Sequence, residues 1–129
     1  MTTCQMMHNS VDWHRLATKL KPIDFVFVWL VTHPNADHLH IGRLLTSKDA
    51  IYTSDSTVGH IGMTIGYCEI DEGELETATV PQKRRFHGAL RRLQRTFTRL
   101  KRAGYISRDR IEWGTCRTVI QLPLKEINQ

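Results

Sequence analysis

Long apolar runs are missing from this sequence. The longest, Phe25 to Val31, falls far short of the roughly 20 residues that span a bilayer, so no membrane helix is expected. Cysteine is scarce: Cys4, Cys68 and Cys116 are odd in number and form no CxxC pair, which argues against a disulfide framework and a thiolate zinc site. The simplest account is an intracellular, cytoplasmic protein with reduced thiols. The N-terminal MTTCQMMHNSVDW lacks a basic segment followed by an apolar one, so no secretory signal is expected. A Gly-rich phosphate loop, a Ser-His-Asp order and a paired-carboxylate setting are also missing. Neither catalytic activity nor a cofactor is therefore expected.

Acidic residues are nearly absent from one long stretch. Between Lys83 and Arg110 eleven Lys or Arg face a single acid, Asp109, a local charge of +10, whereas the rest of the chain carries seven basic and twelve acidic side chains, a charge of −5. Segregation of this kind is an electrostatic footprint for a polyanion. The 129 residues otherwise have ordinary globular composition, with 40% hydrophobic and 24% charged side chains. They suffice for one domain with its own core. Residues 1–9 show little pattern and are expected to be flexible, with the domain spanning 10–129.

Within the domain, Ser10 is a suitable cap for a short helix through Val11, Trp13, Leu16, Ala17 and Leu20. Residues 22–32 are apolar at nearly every position. Helix is preferred there because Pro22 and Asp24 suit a helical first turn, with a buried strand as the alternative. Leu39 to Leu44 suits a short strand, and Thr46 or Ser47 a cap for a helix through Asp49, Ala50, Ile51 and Tyr52. Ile61, Met63, Ile65 and Tyr67 alternate with Gly62, Thr64, Gly66 and Cys68, which predicts a strand or hairpin. Glu69 to Glu76 reads as a solvated acidic loop. His8 and His14 read as surface residues, and Trp13, Trp29 and Trp113 as packing residues.

From Thr79-Val80-Pro81 a long helix is predicted. Phe86, Leu90, Leu93, Phe97 and Leu100 fall within an arc of about 80° at 100° per residue. The arginines and Gly88 lie on the other side, and Gly104 ends the helix. YISRDRIEW and TCRTVIQL then form a hairpin about Gly114-Thr115.

The unit LRRLQRTFTRLKRAGYISR with the hairpin after it resembles the recognition helix and wing of winged helix-turn-helix DNA-binding domains. The resemblance covers about forty residues. It implies an α+β, mostly helical fold with a C-terminal hairpin wing, reading the major groove of double-stranded DNA with helix 82–103 and the backbone with wing 109–116. It further implies a transcriptional regulator, or a plasmid or phage replication or maintenance factor, acting as a homodimer. The family has a tight turn before its recognition helix, whereas 28 residues separate Tyr52 from Pro81 here, which implies an inserted hairpin and acidic loop at 54–80. Arg84, Arg85, Arg91, Arg92, Arg95, Arg99 and Arg102 are the candidate helix contacts, and Arg108, Arg110 and Arg117 the candidate wing contacts. Gly88 would let the backbone approach a phosphate.

Two other readings compete. His33, Asp37, His38 and His40 lie in HPNADHLH, and His38-Leu39-His40 resembles the His-hydrophobic-His motif of rolling-circle nucleases, which would make His38 and His40 metal ligands. That family's helical Tyr-x-x-Lys has no counterpart at Tyr52, Tyr67 or Tyr105. The basic helix could instead dock on an acidic protein or an RNA-protein partner.

Overall fold

A computed structural model of the chain describes residues 3–34, 42–45, 48–112 and 115–125. Three helices come first: α1 (Thr3–Ser10), α2 (Trp13–Lys19) and α3 (Pro22–Thr32). Residues 3–9, where the sequence shows little pattern, lie in α1. Met7 and His8 are buried, and the Trp13 indole N–H donates to the His8 carbonyl at 2.8 Å. Asp12, not Ser10, caps α2 by accepting from the Arg15 N–H at 3.0 Å. Pro22 opens α3, where its missing N–H has no helical partner to lose. The 22–32 segment is therefore helix and not strand, and it seats Phe27, Val28 and Val31 in the core.

Strands β1 (Gly42–Leu45) and β2 (Asp49–Ser56) follow, then α4 (Val58–Thr64), a 3-10 helix (Glu72–Thr77), α5 (Val80–Arg102) and the hairpin β3 (Ile106–Glu112) and β4 (Thr115–Pro123). The chain is thus α+β. The sheet order is β1-β2-β4-β3 with every neighbour antiparallel, so β4 inserts between β2 and β3, and α4 and α5 lie on the connection between those two strands. Among the described residues no helix is long and apolar enough to cross a membrane.

Two expectations fail here, each for a physical reason. The short helix expected at 49–52 is part of β2, which buries Ala50, Tyr52, Ser54 and Ser56. Serines at two of those inward positions hide the apolar alternation that marks a strand. Pairing with β4 from Asp49↔Pro123 to Ser56↔Cys116 decides the conformation. The strand or hairpin expected over 61–67 is mostly α4, capped by Thr57, whose hydroxyl accepts from the His60 N–H at 3.1 Å. Its glycines mark close approach to another segment. A Cβ on Gly59 would stand 2.6 Å from Glu72 Oε2, and one on Gly62 would stand 2.9 Å from Cys68 Sγ.

The acidic loop is likewise more ordered than expected. Glu72 accepts from the Gly59 N–H at 2.7 Å, and Asp71 and Glu74 form a capping box on the 3-10 helix. The insertion at 54–80 therefore holds the end of β2, a helix and a 3-10 turn, and no hairpin. Of the strand expected at 39–44, residues 42–44 lie in β1 and 39–41 lie outside the described residues.

Helix α5 matches its expectation closely. Thr79 and Gln82 form a capping box at its start. At its end Gly104 takes φ +84°, the Gly104 N–H donates to Lys101 O at 3.1 Å and the Tyr105 N–H to Leu100 O at 2.9 Å, a Schellman stop. Leu93, Phe97 and Leu100 meet Phe27, Val28 and Val31 of α3 in one core with Tyr52, Ile61, Ile106, Ile120 and Leu122. The N-terminal half of α5 packs Phe86 and Ala89 on Cys68 and Ile70 in a smaller cluster. The hairpin is present as expected, with Trp113 and Gly114 outside the described residues. Its second strand is tied to the helices: the Asp12 N–H donates to Pro123 O at 2.8 Å and the Lys125 N–H to Ser10 O at 2.9 Å.

Candidate nucleic-acid interface

Core packing fixes which way α5 faces. Its buried residues are Phe86, Ala89, Leu93, Thr96, Phe97 and Leu100. Arg84, Arg91, Arg95 and Arg102 are all exposed. At 100° per residue these four fall within an arc of about 40°, centred opposite the buried face. Eighteen residues separate the first from the last, so the row is about 27 Å long. Among the described residues none of the four has a carboxylate partner. Gly88 interrupts the row, and a Cβ there would meet nothing within 4 Å.

An open depression of about 380 Å³ lies along this face, lined by Arg91, Gln94, Arg95, Thr98, Arg99 and Arg102. A smaller one of about 110 Å³ sits between α5 and β3, lined by Phe97, Thr98, Lys101, Ile106, Ser107 and Arg108. Thr98 belongs to both. The outer face of the helix is therefore continuous with the cleft beside the hairpin. Gln94 and Thr98 are uncharged, so the charge pattern of the sequence does not mark them.

The other arginine candidates, Arg110 excepted, are held by partners within the chain. Arg99 donates through Nε and Nη2 to both oxygens of Asp24, each at 2.7 Å, and Nη2 also reaches Thr96 Oγ1 at 3.3 Å. These hydrogen bonds push the Arg99 pKa up. The Arg108 guanidinium lies 4.7 Å above the centre of the Phe97 ring and donates to the Thr118 hydroxyl. Burial there pulls its pKa down. Arg117 pairs across the sheet with Asp55 at 3.0 and 3.2 Å, and its hydrogen bond holds the Asp55 carboxyl below the usual carboxylate range. Arg92 stacks 4.2 Å from the centre of the Tyr67 ring, and Arg85 forms an ion pair with Glu69. Of the wing candidates only Arg110 is exposed with no intramolecular partner among the described residues.

Sequence alone does not mark Asp24 as an anchor, because an acid in the first turn of an apolar helix also suits the helix dipole. Its position inside the run IDFVFVWLVT was the available signal, since a buried carboxylate needs a cation.

The histidine constellation is only partly visible. His33 is half-buried with its ring 5.4 Å from that of His8, while Asp37, His38 and His40 lie outside the described residues. His8 is buried rather than on the surface, its ring centre 4.8 Å from that of Trp13, tilted, and 4.5 Å from that of Trp29, edge to face. His14 is exposed. Tyr52 is buried, Tyr67 lies beneath Arg92, and Tyr105 is half-buried. Among the described residues no group of three or more His, Cys, Asp or Glu is placed to hold a metal.

Comparison with protein-family models, with curated proteins and with solved structures gives no match for this chain.

Proposed function

We propose that the protein binds double-stranded DNA, with α5 in the major groove and the β3–β4 hairpin beside it as a wing. The observation that carries this reading is the row Arg84, Arg91, Arg95 and Arg102. Four guanidiniums stand on one line of the helix, opposite its buried face and free of acidic partners among the described residues. Guanidiniums so placed can grip phosphates and, where they reach base edges, read guanine. The segment after the row supports the winged-helix resemblance, since α5 stops at Gly104 and passes directly into a hairpin. In this reading α4 takes the place of the helix before the recognition helix, and residues 65–79 replace the short turn between them.

The functional class that fits is a sequence-specific regulator, or a replication or maintenance factor, without catalysis, and a cytoplasmic location goes with it. A single such domain contacts a half-site, so a homodimer belongs to the proposal. Its surface is the outer side of α3, where Ile23, Val26 and Trp29 are exposed with no charged side chain among them. A face of that kind offers a polyanion nothing and suits a second copy of itself.

Titration of labelled duplex, single-stranded DNA and RNA at matched salt tests the reading. Duplex should bind tightest, and its log affinity should fall with log salt at a slope of about −4, as four or five phosphates release counterions. Failure of duplex to bind even at low salt would overturn it.

A further inference from the structure

We infer that Gln94 is the base-reading side chain of α5 and that it recognises an adenine edge in the major groove. This rests on the DNA reading above and assigns the parts of the same surface. The outer depression is lined by four arginines, Thr98 and Gln94, and these last two are its neutral side chains. Gln94 is exposed, its amide has no partner among the described residues, and it stands about 60° round the helix from Arg91, on the flank toward the hairpin. The Thr98 hydroxyl donates to the Gln94 carbonyl at 2.9 Å, which commits its proton and leaves the methyl group to present to a base.

A neutral amide releases no counterion, so position 94 adds little to the electrostatic grip. What it adds is a donor and an acceptor side by side, the pair that matches N7 and N6 of adenine. Arg91 and Arg95 bracket it and hold the helix against the groove, while Arg84 and Arg102 lie at the two ends of the row, where phosphates of the groove walls are met. Thr98, shared with the cleft beside β3, carries the readout toward the wing.

The test is selection of bound sites from a random duplex library with the full chain, Gln94→Ala and Arg84→Ala. Alanine keeps the helix, which far-ultraviolet circular dichroism checks. The unaltered protein should enrich a motif with a required adenine. Gln94→Ala should lose preference at that column alone and bind the enriched duplex about tenfold more weakly, with unenriched duplex unaffected. Arg84→Ala should weaken both duplexes by the same factor and keep the motif. Replacing the required adenine with 7-deazaadenine should weaken the unaltered protein and leave Gln94→Ala unchanged. Binding without any enriched motif, or an identical motif and affinity for Gln94→Ala, would overturn this assignment while the DNA reading stands. Absence of duplex binding by the unaltered protein would overturn both.

Discussion

Arg99 and Asp24, 75 residues apart in sequence, are joined by two parallel hydrogen bonds of 2.7 Å, and this pair clamps α5 to α3. The two ends are unequal. The Asp24 side chain is 3% exposed and the Arg99 side chain 31%. Arg99→Ala strands a buried carboxylate and should cost about 3 kcal/mol, whereas Asp24→Ala leaves a guanidinium that can turn to water and should cost about 1 kcal/mol. Urea unfolding of the two variants measures this, and equal losses would contradict it.

The free and the held arginines should separate cleanly in binding. Arg91→Ala with Arg95→Ala should weaken duplex affinity and reduce the magnitude of the salt slope by about 2, without loss of stability. Arg108→Ala removes the contact with Phe97 and Thr118, so it should lower stability by about 1 kcal/mol and leave the salt slope alone. A double variant at 91 and 95 with undiminished affinity would remove α5 from the interface.

Gly88 sets stability against binding. It lies within α5 with open space where a Cβ would go, so Gly88→Ala should raise stability by about 0.5–1 kcal/mol. If the backbone approaches a phosphate there, the same methyl group should weaken duplex affinity. Thermal melts and a duplex titration of one variant test both halves.

His8 gives the fold a pH dependence of definite sign. Burial lowers its pKa from about 6.5, His33 lowers it further, and the Thr32 backbone opposes the shift in part. The unfolded chain therefore takes up a proton more readily than the folded one. The contribution of His8 is fully present above about pH 6.5 and is lost as pH falls from there toward the lower folded value. Melting temperatures between pH 8 and pH 5 should fall more steeply for the unaltered protein than for His8→Phe, which keeps an aromatic ring against Trp13 and Trp29.

The α3 face makes a prediction about assembly. Val26→Asp places a charge on the exposed side of the helix without touching the core and should shift a dimer toward monomer in sedimentation analysis. A monomer for the unaltered chain at tens of micromolar would rule out that surface.

Helix α5 and the hairpin after it are written in local sequence. Phe86, Leu93, Phe97 and Leu100 repeat at helical spacing, Thr79 and Gln82 cap one end, and Gly104 stops the other, so the buried face and the opposing arginine row follow from 3.6-residue periodicity alone. Three further features depend on distant partners, and local pattern does not carry them. Strand β2 buries Ser54 and Ser56 because β4 pairs with it across some sixty residues, and glycines that resemble strand breaks let α4 approach Glu72 and Cys68. The basic surface was sorted the same way. Every arginine carries the same charge in sequence, but a buried Asp24, the Phe97 ring and an Asp55 across the sheet engage Arg99, Arg108 and Arg117. The amount of positive charge on the helix is set by its sequence, and the tertiary contacts decide which guanidiniums are left without a partner among the described residues.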